Sequence, residues 1–240
     1  MLSFDLVVWL GILIALVPGF ALFVYLARGK KSMWLVFCIG AVGWTVALVR
    51  APILDGLGEA FLRNWIRSAG TAAAPYIATA VNSLFAGLFE EGVRYGLMKR
   101  IKRTRADSRH VLSFGLGWGF GEAVLIYAVA IVSAVYLQGR SISFSSLMLG
   151  AMERNITMIL QVGLTFVIFH ALTNLRFLFV AIGAHFMIDF VGVSLALLTK
   201  NVWPTYVVAL VIALILMVYA SRLTRSFSMM NRCSGGDYCE

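Results

Sequence analysis

Charge is what this sequence has least of: 13% of its 240 residues are Asp, Glu, Lys or Arg, against about 25% in ordinary soluble domains. Hydrophobic residues make up 61% and mean hydropathy is +0.90, which excludes a soluble globular fold. Cysteine is scarce as well, with Cys38 in an apolar run and Cys233 and Cys239 near the end. That excludes a disulfide framework and leaves the last two as the one pair that could bond or be lipidated. The four prolines build no linker, and there is no internal repeat or low-complexity tract. The first 27 residues hold an apolar run without a basic lead or a small-residue cleavage site, so they read as a retained helix. What remains is one all-α polytopic membrane domain over 1–221, with a flexible cytoplasmic tail at 222–240.

Crossing a hydrocarbon core about 30 Å thick takes about 20 apolar residues. Seven stretches qualify, near 4–27, 33–54, 72–98, 110–137, 144–172, 177–198 and 203–221. Between the second and third, Gly56–Gly70 sets Phe61, Leu62, Trp65 and Ile66 against Glu59, Arg63 and Arg67, the pattern of a helix lying on the membrane surface. The net charge of +9 is then a topology signal and not a sign of nucleic-acid binding. Thirteen basic residues fall in loops one, three and five and the tail, against five (Arg50, Arg63, Arg67, Arg140, Lys200) on the alternate side. The N-terminus is expected outside and the C-terminus in the cytoplasm, in the cell membrane.

Ionisable groups inside spans are costly and point to function. Five acids, Glu90, Glu91, Glu122, Glu153 and Asp189, fall inside, accompanied by Arg94 and Arg154, for a formal excess of three negative charges. At 1.5 Å per residue, Glu90, Glu91, Trp118 and His185 lie about 12 Å from the cytoplasmic ends of their spans, and Glu122, Asp189 and Gln161 about 16–18 Å. Four helices thus deliver polar groups to one layer. The i,i+4 spacing pairs Glu90 with Arg94, which can orient a neighbouring carboxylate, and puts His185 and Asp189 on one face, where both could reach one metal ion while a glutamate of the third span activates water. Glu122 is a further candidate ligand or proton carrier. Glu153 and Arg154, as i,i+1 neighbours, are expected to face different partners. His170 is expected at the interface, and His110 beside the basic loop, neither with a role. The glycines of Gly115–Gly121 alternate without a preceding strand, so they read as two small-residue faces, Gly115/Gly119 and Gly117/Gly121, for close helix approach.

Four motifs occur in order: Phe85–Tyr95 with Glu90, Glu91 and Arg94; Gly115–Ala123 with Trp118 and Glu122; Glu153-Arg154; and Ala181–Phe190 with His185 and Asp189. Together they resemble the YhfC family of intramembrane metalloproteases, related to the CAAX prenyl and bacteriocin-processing endopeptidases, the PrsW proteases and a scaffold subunit of γ-secretase. The resemblance implies that Glu90 and Glu91 supply the water-activating carboxylate, and that His185 and Asp189 match a late His/Asn-or-Asp motif. Glu122 and Glu153-Arg154 match further signatures. It implies zinc or another divalent metal as cofactor and a membrane-embedded or membrane-proximal polypeptide as substrate. Trp118 and Gln161 stand where the resemblance implies histidine, so carboxylates would have to carry more of any metal site.

Two functions follow from this: a metal-dependent intramembrane endopeptidase, or an inactive scaffold holding partner helices in the same polar cavity. A proton or ion carrier using the excess carboxylates is the third reading, without the repeat or broken helix of transporters.

Overall fold

The apolar runs fold as helices because a backbone in lipid must satisfy its own hydrogen bonds. The computed structural model describes residues 4–57 and 72–234, which contain no strand. The elements are α1 (Phe4–Ala27), α2 (Lys31–Ala47), α3 (Arg50–Leu57), α4 (Ala74–Arg100), α5 (Ser108–Ala123), α6 (Phe144–Ala171), α7 (Arg176–Thr199) and α8 (Trp203–Ser234). The surface helix expected over Gly56–Gly70 lies almost wholly outside the described residues.

Among the described residues six helical stretches are long and apolar enough to cross a membrane: Phe4–Ala27, Lys31–Leu54, Ser108–Leu137, Phe144–Ala171, Arg176–Thr199 and Trp203–Ala220. The seventh expected span, α4, is as long but less apolar, because it carries Glu90, Glu91 and Arg94. All three face inward and are buried, while Phe179, Leu198, Val42 and Ile215 project outward. This distribution belongs to an integral membrane protein.

Two interruptions shape the bundle. Pro52 cannot donate to the carbonyl of Leu48, which instead accepts from Ala51 N at 2.9 Å, so the second span breaks between α2 and α3. Beyond Ala123, α5 continues through wider π-type turns at Val124–Val129 and Ser133–Leu137, the first starting two residues after Glu122. Such widened turns recur at functional sites.

Helix α6 is the centre: 14 of its 28 residues are buried, against 3 of 24 in α7, and it packs on α1, α4, α5, α7 and α8. The glycines of α5 let its neighbours close in. A Cβ on Gly117 or Gly121 would strike the α2 backbone at Phe37 or Ala41, whereas Gly115 and Gly119 meet α6 at Val162 and Met158. The two small-residue faces therefore seat two different helices. Trp44, Phe114, Trp118, Leu164 and Ile168 fill the core between α2, α5 and α6. His170, expected at the interface, is buried at the end of α6 between Phe169 and Phe177.

Candidate functional site

Neighbouring residues on a helix point about 100° apart, so Glu90 and Glu91 serve different partners. Glu90 faces α2 and α3: Oε1 accepts from Arg50 Nη1 at 2.6 Å, and Oε2 from Trp44 Nε1 at 3.0 Å and Gln161 Nε2 at 3.4 Å. Glu91 faces α7: Oε1 is 2.7 Å from His185 Nδ1, and Oε2 accepts from Arg94 Nη1 at 3.0 Å. Arg94 therefore orients the neighbouring Glu91, at i,i+3, and its direct ion pair is with Glu91 and not with Glu90, the i,i+4 partner. Its other amino group donates to Gln161 Oε1, and its guanidinium lies over the Trp118 ring, 4.6 Å from the centroid.

Gln161 joins this cluster to a second one. With Oε1 turned to Arg94, its Nε2 can serve acceptors only, and it donates to Glu122 Oε2 at 2.6 Å as well as to Glu90. Arg154 closes the far end, donating to Glu122 at 3.0 Å and to Glu153 at 2.5 Å. The expectation that Glu153 and Arg154 face apart is thus corrected: the long arginine side chain curls back to its neighbour while also crossing to α5. His185 Nε2 completes the chain of contacts, 4.0 Å from Glu90 and 3.5 Å from Asp189.

Every residue singled out from the sequence, Glu90, Glu91, Arg94, Trp118, Glu122, Glu153, Arg154, Gln161, His185 and Asp189, belongs to this one network. Two members were missed. Trp44 reads as an apolar core residue, and Arg50 was counted as an outer-loop cation although it lies inside the 33–54 span. The rule that singled out Arg94 and Arg154 would have found it. With Arg50 paired to Glu90, the negative excess falls from three to two.

Glu90, Glu122, Glu153, Arg50, Arg154, His185 and Asp189 line a cavity of about 250 Å³ whose remaining wall comes from Trp44, Ile126 and residues of α6, α7 and α8. Glu91 and Arg94 lie behind the wall. Glu153 and Asp189, with side chains 44% and 41% exposed, are its most open acids.

The donors, as placed, do not fit a zinc ion. Among the described residues no three of His, Cys, Asp and Glu converge as ligands. The one imidazole in the network has its Nδ1 engaged by Glu91, three donors occupy the Glu90 carboxylate, and Gln161 and Arg154 occupy Glu122. Arginine cations already stand where a metal's charge would be needed.

A family model described as YhfC intramembrane metalloprotease matches residues 12–141, more than half of the chain. The match includes Glu90, Glu91, Arg94, Trp118 and Glu122. His185, Asp189, Gln161 and Glu153-Arg154 lie beyond it. Among curated proteins none matches.

Proposed function

Because this chain belongs to the YhfC intramembrane metalloprotease family, we propose that it hydrolyses peptide bonds of membrane-embedded or membrane-proximal polypeptides in the cavity between α4, α6 and α7. One observation carries this reading: His185 is gripped at Nδ1 by Glu91, and its Nε2 faces Glu90 across 4.0 Å. Nδ1 points its proton at Glu91 Oε1, and Nε2 faces Glu90 and Asp189 from the cavity wall. A water bridging Nε2 and Glu90 Oε2 would sit at hydrogen-bond distance from both. Loss of its proton to one of these groups leaves a hydroxide to attack the scissile carbonyl, and the same proton then passes to the leaving amine. Arg50 and Arg154 supply positive charge for the oxyanion from the same cavity. Glu90 is thus the general base or its partner, while Glu91 and Arg94 are positioning residues.

The basic ends of the helices favour a cell-membrane protein with its N-terminus outside and its C-terminus cytoplasmic. Taking Arg50 out of the outer set leaves four basic residues there against thirteen.

The test is cleavage of a transmembrane peptide library by the purified protein in vesicles. Glu90→Gln should reduce cleavage by about 10²–10⁴-fold in protein that elutes as a folded species. Wild-type protein without cleavage would sink the reading.

A second reading has its own support. Trp118 and Gln161 do not leave gaps: Gln161 holds Arg94, Glu90 and Glu122 together, and Trp118 supports Arg94. A network in which these two residues take up Arg94, Glu90 and Glu122 suits a scaffold for partner helices. In that case His185→Ala or Gly119→Leu weakens assembly, and a mild-detergent pull-down recovers a partner.

A further inference from the structure

Away from the polar network, α1, α5, α6 and α8 enclose a second cavity of about 240 Å³. Pro18, Leu22, Leu112, Leu116, Met158 and Val162 make up most of its wall. Asn155 is the polar exception, and its amide is already spent on the carbonyls of Ile14 and Ala151, both at 2.9 Å. Leu22 is 46% exposed, so the groove opens on the outer surface of the bundle, where lipid lies. Its lining calls for hydrocarbon. From Asn155 to Val162 it runs about 10 Å along α6, enough for part of a fatty-acyl chain.

One end of the groove is basic. On α5, Arg109 precedes Leu112 by three residues, on the same face and about 4.5 Å further along the axis. On α1, Leu22 and Tyr25 share a face, and the Arg28 guanidinium lies over the Tyr25 ring, 4.3 Å from the centroid. Arg28 has φ +36°, which ends α1 and turns the side chain back, so that its Nε donates to Tyr25 O at 3.2 Å. The ends of α2 and α5 meet there through His110 and Ser32, 3.2 Å apart. Among the described residues Asp107 is the one acid at this end of the bundle, and it is engaged by His110.

A hydrocarbon groove with an arginine beyond its end on each of two helices, Arg109 about one turn past Leu112 and Arg28 about two turns past Leu22, matches one chemistry available in a bilayer. We infer that α1, α5 and α6 bind an anionic phospholipid, with an acyl chain along Leu22, Leu116 and Met158 and the phosphate at Arg28 and Arg109. This site is separate from the polar cavity and does not depend on hydrolysis there.

The test is native mass spectrometry of the full chain extracted from vesicles of equimolar palmitoyl-oleoyl phosphatidylglycerol and palmitoyl-oleoyl phosphatidylcholine. Wild type should retain the anionic lipid over the zwitterionic one by about tenfold or more. Arg28→Gln with Arg109→Gln should bring the two to parity, and Leu22→Trp, which fills the groove, should reduce retention of both. Lys30→Gln with Lys31→Gln removes the same charge beside the groove and should keep the preference. The inference is overturned by equal retention in wild type, by a preference that survives loss of both arginines, or by equal loss in the lysine control. Displacement by excess inorganic phosphate would overturn the acyl half. If the double arginine variant does not fold, Leu22→Trp decides: unchanged retention overturns the proposal.

Discussion

Asn155 of α6 donates its side-chain amide to the backbone carbonyl of Ile14 in α1, the carbonyl that Pro18 leaves without a helical donor. A proline inside a helix lacks the N–H that would bond four residues back, and in lipid no water replaces it. The neighbouring Gly19 lets α6 come close enough, since a Cβ there would collide with the Met158 thioether. Asn155→Leu should therefore destabilise the protein by about 0.5–2 kcal/mol. In a Pro18→Ala background, where the helix supplies its own donor, the same change should cost measurably less. Unfolding of the four variants in detergent gives the coupling, and additive effects would count against the assignment.

The glycines divide into two kinds by what surrounds them. Gly121 abuts the α2 backbone at Ala41, so Gly121→Ala should force α2 and α5 apart, at a cost of about 1–3 kcal/mol. Gly92 and Gly96 of α4 have open space where a Cβ would go. Gly96→Ala should be neutral or stabilising by up to about 1 kcal/mol, the helix-propensity gain. Melting temperatures of the three proteins check the contrast.

The contrast between what spacing and composition revealed and what they hid has a physical source. Hydropathy located the spans, and depth along each axis put Glu90, Glu122, Gln161 and His185 in one layer, because both depend on the chain alone. Pairing depends on how helices rotate against each other. Hence Arg94 was matched to Glu90 by spacing, although it bonds Glu91, and Glu153 was separated from Arg154, although the arginine reaches it. Trp44 carries its one donor on an otherwise apolar ring and so left no trace among the charges. Arg50 left one, inside its span, that the loop tally obscured.

The Glu91–Arg94 pair is fully buried, so its two halves should not be removable one at a time. Arg94→Met leaves a carboxylate in the core with only His185 beside it and should cost about 3–5 kcal/mol. Glu91→Gln with Arg94→Met removes both charges and should be milder than Arg94→Met alone. Chemical unfolding in micelles measures the difference, and a double variant worse than the single would show that the pair is not the source of the cost.

Metal content separates the geometry of the site from the implication of the family. With Glu90 held by three donors and His185 turned by Glu91, elemental analysis of protein purified without chelators should find well below one zinc per chain. About one zinc, lost in His185→Ala, would mean that the arginines give way and the carboxylates regroup around an ion.

Asp107 caps α5, accepting from the His110 backbone N at 2.9 Å while the His110 ring lies at the same distance. Burial pushes its carboxyl up, but these hydrogen bonds from His110 outweigh it and hold the group below its ordinary range. A carboxylate lowered on folding contributes stability that is complete above its unfolded value, about 3.9, and is lost as pH falls through the folded value. Acidification from about pH 5 to about pH 3 should therefore loosen the start of α5, seen as faster amide exchange at Val111 and Leu112. Asp107→Asn keeps an acceptor for the cap and should remove this part of the acid dependence. Asp107→Ala should cost about 1 kcal/mol at neutral pH. Exchange at the helix start that responds to acid equally in wild type and Asp107→Asn would place the sensitivity elsewhere.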